Sequence, residues 1–250
     1  VLNLTVTGAT GGGWARAYPC SGPQPPTSNI NFAPGQTVAN AVIAAIAVGD
    51  LPYDVVVTPV ADRAYVTNTF SGSVSVINTD KDNVLDTVDI GAVSLPTGIA
   101  VDPAGGYIYV ANSNDDAVSV IKTSTYPLIA TIPVGNDPSD IAVHPNTNRA
   151  YVTNYAAGTV SVIDTVTRTV IGNPIAVGAS PAGVAVNPAG DRVYVANAGG
   201  DTVSVINTAT NAVIAVIAVG GTPRNVALNA AGTRLYVTNG RSDSVSVINT

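Results

Sequence analysis

Aspartate is the one residue type in this chain with both the chemistry and the numbers to build a ligand or acid–base site. The sequence holds a single histidine, His144, a single cysteine, Cys20, and no glutamate or methionine. One imidazole excludes two-histidine haem ligation and multi-histidine zinc or copper sites, and one thiol excludes thiolate clusters and an internal disulfide. No Gly-x-Ser-x-Gly elbow, phosphate loop or dinucleotide fingerprint occurs in a suitable context, and no cofactor is expected. Asp50, Asp54, Asp137 and Asp140 are the candidate ligands of a hard cation such as Ca²⁺, which takes several oxygens. Read more simply, they are solvated aspartates that form turns.

The elements that must position these side chains repeat five times. Ala64-Tyr65-Val66-Thr67-Asn68 recurs as Ile108–Asn112, Ala150–Asn154, Val193–Asn197 and Leu235–Asn239, with the tyrosines spaced 44, 42, 43 and 42 residues apart. Each is followed by a Val-Ser-Val-Ile strand, from Val74–Ile77 to Val245–Ile248, and preceded by a short apolar strand such as Val55–Val57 or Ile141–Val143. A fourth strand, usually ending in Val-Gly, precedes that one. Four short β-branched strands per unit, at a period near 42 and separated by Gly, Pro, Asn and Asp turns, predict a β-propeller of five four-stranded blades over residues 38–250. The chain ends on a third strand. The fourth strand of that blade is expected from Ala41–Val48, because Asn40-Ala41-Val42-Ile43 repeats Asn211-Ala212-Val213-Ile214. Closure of this kind removes exposed sheet edges.

On this layout the loops entering each inner strand, and those after each Tyr-Val-x-Asn, ring one mouth of the channel. They carry the candidate ligand-binding residues Tyr53, Asp54, Phe70, Asp115, Asp116, Ser139, Asp140, Tyr155, Arg224 and Arg241. Phe70, Tyr155, Arg224 and Arg241 each occur in one repeat only, as expected of a face that contacts a partner. His144 falls at a turn position held elsewhere by Thr58, Asp102, Asn187 and Asn229 and reads as a turn residue. The repeated Asn68, Asn112, Asn154, Asn197 and Asn239 read as turn caps. Arg63, Arg149, Arg192 and Arg234, just before the repeat tyrosines, read as structural blade contacts and not a binding patch.

The Tyr-Val-Thr-Asn and Val-Ser-Val-Ile-Asn motifs resemble the YVTN family of β-propeller repeats, found in microbial surface-layer and other exported proteins. The resemblance covers residues 38–250 and implies the fold more strongly than any activity. Relatives often have seven blades, where this chain has five repeats. Residues 1–37 lie outside the repeat as a β-rich extension. Val1–Thr7, Tyr18-Pro19-Cys20 and Ser28–Asn40 resemble part of a β-rich module attached to secreted actinobacterial cell-wall proteins. Asn3-Leu4-Thr5 is a glycosylation sequon.

Composition narrows the function classes. Charged residues are 10% of the chain and the net charge is −6, with two lysines and eight scattered arginines. A phosphate-contacting nucleic-acid binder needs a clustered basic face, so nucleic acid is not an expected partner. No apolar run approaches the roughly 20 residues of a membrane helix. The expectation is a non-catalytic extracellular or cell-surface recognition or adhesion module, with a protein or carbohydrate partner. One alternative is a structural subunit of a surface layer or filament that self-associates through residues 1–37. A second is a metal-assisted lactonase- or lyase-like hydrolase using aspartates at the channel mouth.

Overall fold

The computed structural model describes the backbone of Gly13–Ala15 and Ile30–Phe32, together with residues 45–60 and 62–250. Contacts divide the chain into two compact units, Val1–Ala47 with Asp80–Asn83, and Val48–Thr79 with Val84–Thr250. In the first, β1 (Gly13–Ala15) pairs antiparallel with β2 (Ile30–Phe32). The rest of the N-terminal extension, with Asn3 and Cys20, lies outside the described residues.

The second unit is a series of antiparallel sheets, one per sequence repeat. The first sheet is β3 (Pro52–Val57), β4 (Arg63–Asn68), β5 (Ser73–Asn78) and β6 (Asn83–Asp89); the second is β7 (Pro96–Val101), β8 (Tyr107–Asn112), β9 (Ala117–Lys122) and β10 (Leu128–Pro133). The third is β11 (Pro138–Val143), β12 (Arg149–Asn154) and β13 (Thr159–Asp164), whose outer edge is split between β14 (Thr169–Val170) and β15 (Ile175–Ala176). The fourth is β16 (Pro181–Val186), β17 (Arg192–Asn197), β18 (Thr202–Asn207) and β19 (Ala212–Ala218), and the fifth is β20 (Pro223–Leu228), β21 (Arg234–Asn239) and β22 (Ser244–Asn249). Strands follow one another in chain order within each sheet, and the first strands of consecutive sheets lie side by side as an inner layer. Among the described residues there is no α-helix, only a single 3₁₀ turn at Ser113–Asp115.

Period-two alternation decides which face each side chain joins. Tyr65, Val74 and Val76 leave one face of the first sheet to pack on Ile99, Ile108, Val110 and Ile121 of the second. The same pattern recurs with Tyr109 against the third sheet, Tyr151 against the fourth and Tyr194 against the fifth. The Tyr65 hydroxyl donates to the Thr123 carbonyl at 3.4 Å, across to the next repeat. Burial pushes the Tyr65 and Tyr109 hydroxyls up to about 12, so they remain protonated donors at any physiological pH.

The repeated asparagines are not turn caps. Each lies at a strand end with its amide turned across the hairpin. Nδ2 of Asn68, Asn112, Asn154, Asn197 and Asn239 donates to the hydroxyl of Ser75, Ser119, Ser161, Ser204 and Ser246 at 2.8–2.9 Å. The Val-Gly endings follow from this contact. A Cβ on Gly135, Gly178 or Gly220 would stand 2.5–2.7 Å from atoms of Asn154, Asn197 or Asn239, so only glycine fits there. The arginine expectation holds in two repeats: Arg63 Nε donates to the Tyr126 hydroxyl at 3.1 Å, and Arg149 Nη1 to the Thr208 carbonyl at 2.8 Å, both in a neighbouring repeat. Arg192 instead pairs with the adjacent Asp191.

The fifth sheet departs from the expected closed ring. It has three strands among the described residues. Of the expected closing strand Ala41–Val48, residues 41–44 lie outside the described residues and Ala45–Val48 form no strand. Val245 and Val247, whose counterparts in the first four sheets are buried, are 55% and 54% exposed, and Val55 at the other end of the series is 58% exposed. Among the described residues no neighbouring sheet covers these faces as one covers their counterparts.

Replacing Asn154 by alanine removes two donated hydrogen bonds, to Thr159 Oγ1 at 3.0 Å and Ser161 Oγ at 2.9 Å. Urea denaturation is expected to show a loss of about 1–3 kcal/mol at unchanged slope; a loss below about 0.5 kcal/mol would show that the amide contributes nothing beyond solvent.

Candidate functional site

Each inner strand begins with proline, and the residue before it adopts a left-handed backbone: Leu51, Leu95, Asp137, Ser180 and Thr222 have φ between 48° and 54°. This conformation costs a non-glycine residue roughly 1–2 kcal/mol, and it recurs where the chain turns inward. Immediately after the proline every inner strand carries a register shift, a bulge that re-aims the next side chains. Turn and bulge together direct the third residue of each inner strand to one place. There a cavity of about 270 Å³ is lined by Tyr53, Asp54, Gly98, Ser139, Asp140, Ala182, Gly183, Arg224 and Asn225.

The third residues alternate along the series: Asp54, Gly98, Asp140, Gly183, Asn225. So do the residues before the repeat asparagine, Thr67, Ala111, Thr153, Ala196 and Thr238. Aspartate and threonine act together. Asp54 accepts from its own neighbour Val55 N–H at 2.8 Å and from Ile99 N–H of the next sheet at 3.1 Å. Asp140 does the same with Ile141 and Val184, both at 2.8 Å. The Thr67 and Thr153 hydroxyls donate to the Thr97 and Ala182 carbonyls of the next sheet at 2.8 and 2.7 Å. The intervening glycines allow close backbone approach: a Cβ on Gly98 would be 2.6 Å from Asp140 Cα, and one on Gly183 2.6 Å from the Arg224 carbonyl oxygen. The two aspartates are therefore clamps between sheets as well as walls of the cavity.

Burial among the inner strands pushes the Asp140 carboxyl up to about 7. The hydrogen bonds from Val184 and Ile141 oppose this, and the nearby Asp54 charge adds to it. Ser139 Oγ is occupied by the Pro181 and Ala182 carbonyls, each at 3.0 Å. The Tyr53 hydroxyl, the Arg224 guanidinium and Asn225 Nδ2 have no hydrogen-bond partner among the described residues, and all three residues line the cavity together with Asp54 and Asp140.

Half of the ten candidate residues meet in this cavity: Tyr53, Asp54, Ser139, Asp140 and Arg224. Phe70 and Tyr155 are exposed on loops outside it, and Arg241 is likewise outside. Asp115 accepts from Ser94 Oγ, and Asp116 accepts from Asp137 N–H at 2.8 Å, so both tie loops together. The expected cation ligands do not assemble. Asp137 accepts from Ser113 Oγ at 2.6 Å outside the cavity, and Asp50 lies at the turn held by Ser71. Among the described residues no group of three His, Cys, Asp or Glu side chains could hold a metal ion. His144 is buried: Nε2 bonds the Gly190 carbonyl at 2.7 Å, and Nδ1 accepts from Asn146 and Thr147 N–H. It is a turn residue that also latches the third repeat to the fourth. Gly98, Ala182 and Gly183 complete the lining without having been singled out, and Asn225, a residue of the mouth loops, joins it at the third inner-strand position aligned with Asp54 and Asp140.

Comparison with known proteins agrees with this architecture. The family described as lactonase, 7-bladed beta-propeller, matches residues 127–250, just under half of the chain. A functionally unknown protein from Desulfotomaculum acetoxidans is similar in structure, with TM-score 0.70 and 18% identity over 81% of this chain and 70% of that one. The β-propeller domain of Cps50 (Swd1) from Myceliophteria thermophila is similar at TM-score 0.67 and 13% identity, over 79% of this chain and 64% of that one. The chain is a β-propeller. No curated protein matches it. The sheets of the propeller are its blades, and the cavity lies where the inner strands of all five contribute.

The Asp140 shift has a defined sign. The folded propeller holds the Asp140 proton more tightly than the unfolded chain, whose ordinary value is 3.8. This contribution to stability is therefore present in full below pH about 4 and lost as the pH rises through about 7. Urea unfolding from pH 4 to 8 is expected to show that loss in the parent and a flatter profile in Asp140→Asn; identical slopes would contradict the assignment.

Proposed function

We propose that this propeller is an extracellular or cell-surface recognition module that binds a polar partner, protein or carbohydrate, at the inner-strand cavity. The observation that supports this reading is the set of unpaired donors there. Tyr53, Arg224 and Asn225 line one polar cavity, and each occurs at its position in one repeat only. A binding face needs blade-specific groups with free hydrogen-bonding capacity. Structural residues of this fold, by contrast, recur from blade to blade. An array of acidic glycans and acidic peptides is expected to yield binders whose retention is lost with Arg224→Ala, a surface change that leaves the melting temperature unaltered. Binding that survives Arg224→Ala, or no binder in either set, would overturn this reading.

A second reading is favoured by two observations together. The lactonase family match spans the part of the chain that supplies Ser139, Asp140 and Arg224, and Asp140 has its carboxyl pushed up to about 7. A group that titrates near neutral pH is suited to general acid–base work, and an arginine lining the same cavity to stabilising a developing oxyanion. On this reading the propeller opens a sugar lactone, with Asp140 activating water. Glucono-1,5-lactone hydrolysis is then expected to exceed the spontaneous rate, to inflect near pH 7, and to fall by roughly 10²-fold or more in Asp140→Asn. A rate equal to that of buffer alone sinks it.

A further inference from the structure

At the opposite end of the strands from the inner-strand cavity, two positions meet between consecutive blades. One is the first residue of a blade's second strand. The other is a left-handed turn residue just before the outer strand of the next blade. Between the first and second blades they are Arg63 and Tyr126, and Arg63 Nε donates to the Tyr126 hydroxyl at 3.1 Å. Between the second and third they are Tyr107 and Arg168, with the types exchanged, and the guanidinium lies over the ring at 5.3 Å from its centroid. Between the third and fourth they are Arg149 and Asn211. Tyr126, Arg168 and Asn211 have φ of 61°, 59° and 54°, so the turn is the same and only the side chain differs.

Asparagine is too short to repeat the contact that tyrosine or arginine makes. Asn211 Oδ1 is buried and has no hydrogen-bond partner among the described residues. Arg149 Nη1 turns to the Thr208 carbonyl at 2.8 Å, the counterpart of the Thr123 carbonyl that Tyr65 uses. The buried Tyr151 hydroxyl, beside the Arg149 guanidinium, is then left without an acceptor for its proton. Between the first and second blades, where Tyr126 fills the gap, the cavity is about 200 Å³; between the third and fourth it is about 740 Å³.

We propose that this groove between the third and fourth blades is a binding site for a neutral sugar. Its floor is tied across the two blades, because the Gly190 carbonyl accepts from His144 Nε2 and Thr208 Oγ1, both at 2.7 Å. Its wall offers donors and acceptors together. Asn148 is exposed and makes no side-chain hydrogen bond among the described residues, and Asn146 Nδ2 reaches only the Ala189 carbonyl at 3.5 Å. Asp164 accepts from the Val166 and Thr167 N–H groups through Oδ1, which leaves accepting capacity on Oδ2. A hydroxyl both donates and accepts, so a sugar can meet amide and carboxylate alike. An anion would face Asp164 and Asp191, and a cation would face Arg149. The volume falls within the roughly 300–1,000 Å³ of small-molecule pockets.

Cellobiose, maltose and N,N′-diacetylchitobiose, each titrated into the full chain and followed by NMR, are expected to include a binder. Its amide shifts should fall at Gly190 and Ala209 and not at Gly98 or Gly183 of the inner-strand cavity. Asn211→Tyr recreates with Arg149 the contact of Arg63 and Tyr126, and should weaken that binder by about tenfold or more without lowering the melting temperature. Asn148→Ala, on an exposed loop, should weaken it roughly threefold to tenfold, and carries the test if Asn211→Tyr folds poorly. No binding of any of the three sugars, shifts confined to Gly98 and Gly183, or affinity indifferent to both variants would overturn the proposal. So would tighter binding of glucuronate or glucosamine than of the neutral sugars, since the site would then select a charge.

Discussion

Burial of the first four repeat tyrosines beneath the following blade is the contact on which the rest of this propeller depends. A tyrosine removes a large apolar ring from water, worth a few kcal/mol, and a partner for its hydroxyl offsets the cost of burying that polar group. Tyr65 satisfies both terms by lying on Ile99 and Ile108 while its hydroxyl reaches the Thr123 carbonyl. The valines of the neighbouring Val-Ser-Val-Ile strand extend the same apolar face. The serine between them turns to the opposite side and accepts from the buried asparagine. One pair of strands therefore provides packing toward the next blade and a polar latch within its own.

Those blade-to-blade faces bring the inner strands into register, and the register creates the cavity. The left-handed residue before each proline and the bulge after it cannot be satisfied by local preference alone, because a residue preceding proline is biased toward extended backbone. They persist because the strands on either side are held by packing. Once the inner strands are fixed, Asp54 and Asp140 lie close enough to the next blade to accept its N–H groups, and dehydration follows from the same closeness. The raised Asp140 value is therefore a consequence of that dehydration, which the hydrogen bonds of the clamp oppose. A group that holds two blades together is also the group most ready to exchange a proton with whatever enters the cavity.

Much of this was legible in the residues. The tyrosine spacing, the Val-Ser-Val-Ile runs and the Pro-led inner strands placed the strands and their order, because period-two alternation and turn chemistry are local signals. The asparagines were misread because their partner is a serine seven residues away across a hairpin. That distance is invisible until the two strands are paired. The Asp50 and Asp137 reading failed for a related reason. Both sit in the loops that carry the candidate ligands, but Asp137 lies in the left-handed turn and spends its carboxylate on Ser113, while the cavity is lined from the second and third inner-strand positions. The alternation of Asp54, Gly98, Asp140, Gly183 and Asn225 was present in the sequence, but it repeats every second blade. Its meaning depends on which blade each side chain reaches. The expected partner for the outer edge of the fifth blade could not be read from strand pattern alone, because pattern says what a strand can pair with and not where its partner lies.

The claim at the centre of this account is that aspartates of one inner strand hold the backbone of the next. Amide hydrogen exchange at Val184 tests it most directly. A slow Val184 amide that speeds up in Asp140→Ala, while the Ser204 amide on β18 keeps its protection, is the predicted result. A Val184 amide that exchanges at loop rates in the parent, or that is indifferent to loss of the Asp140 carboxylate, would contradict it.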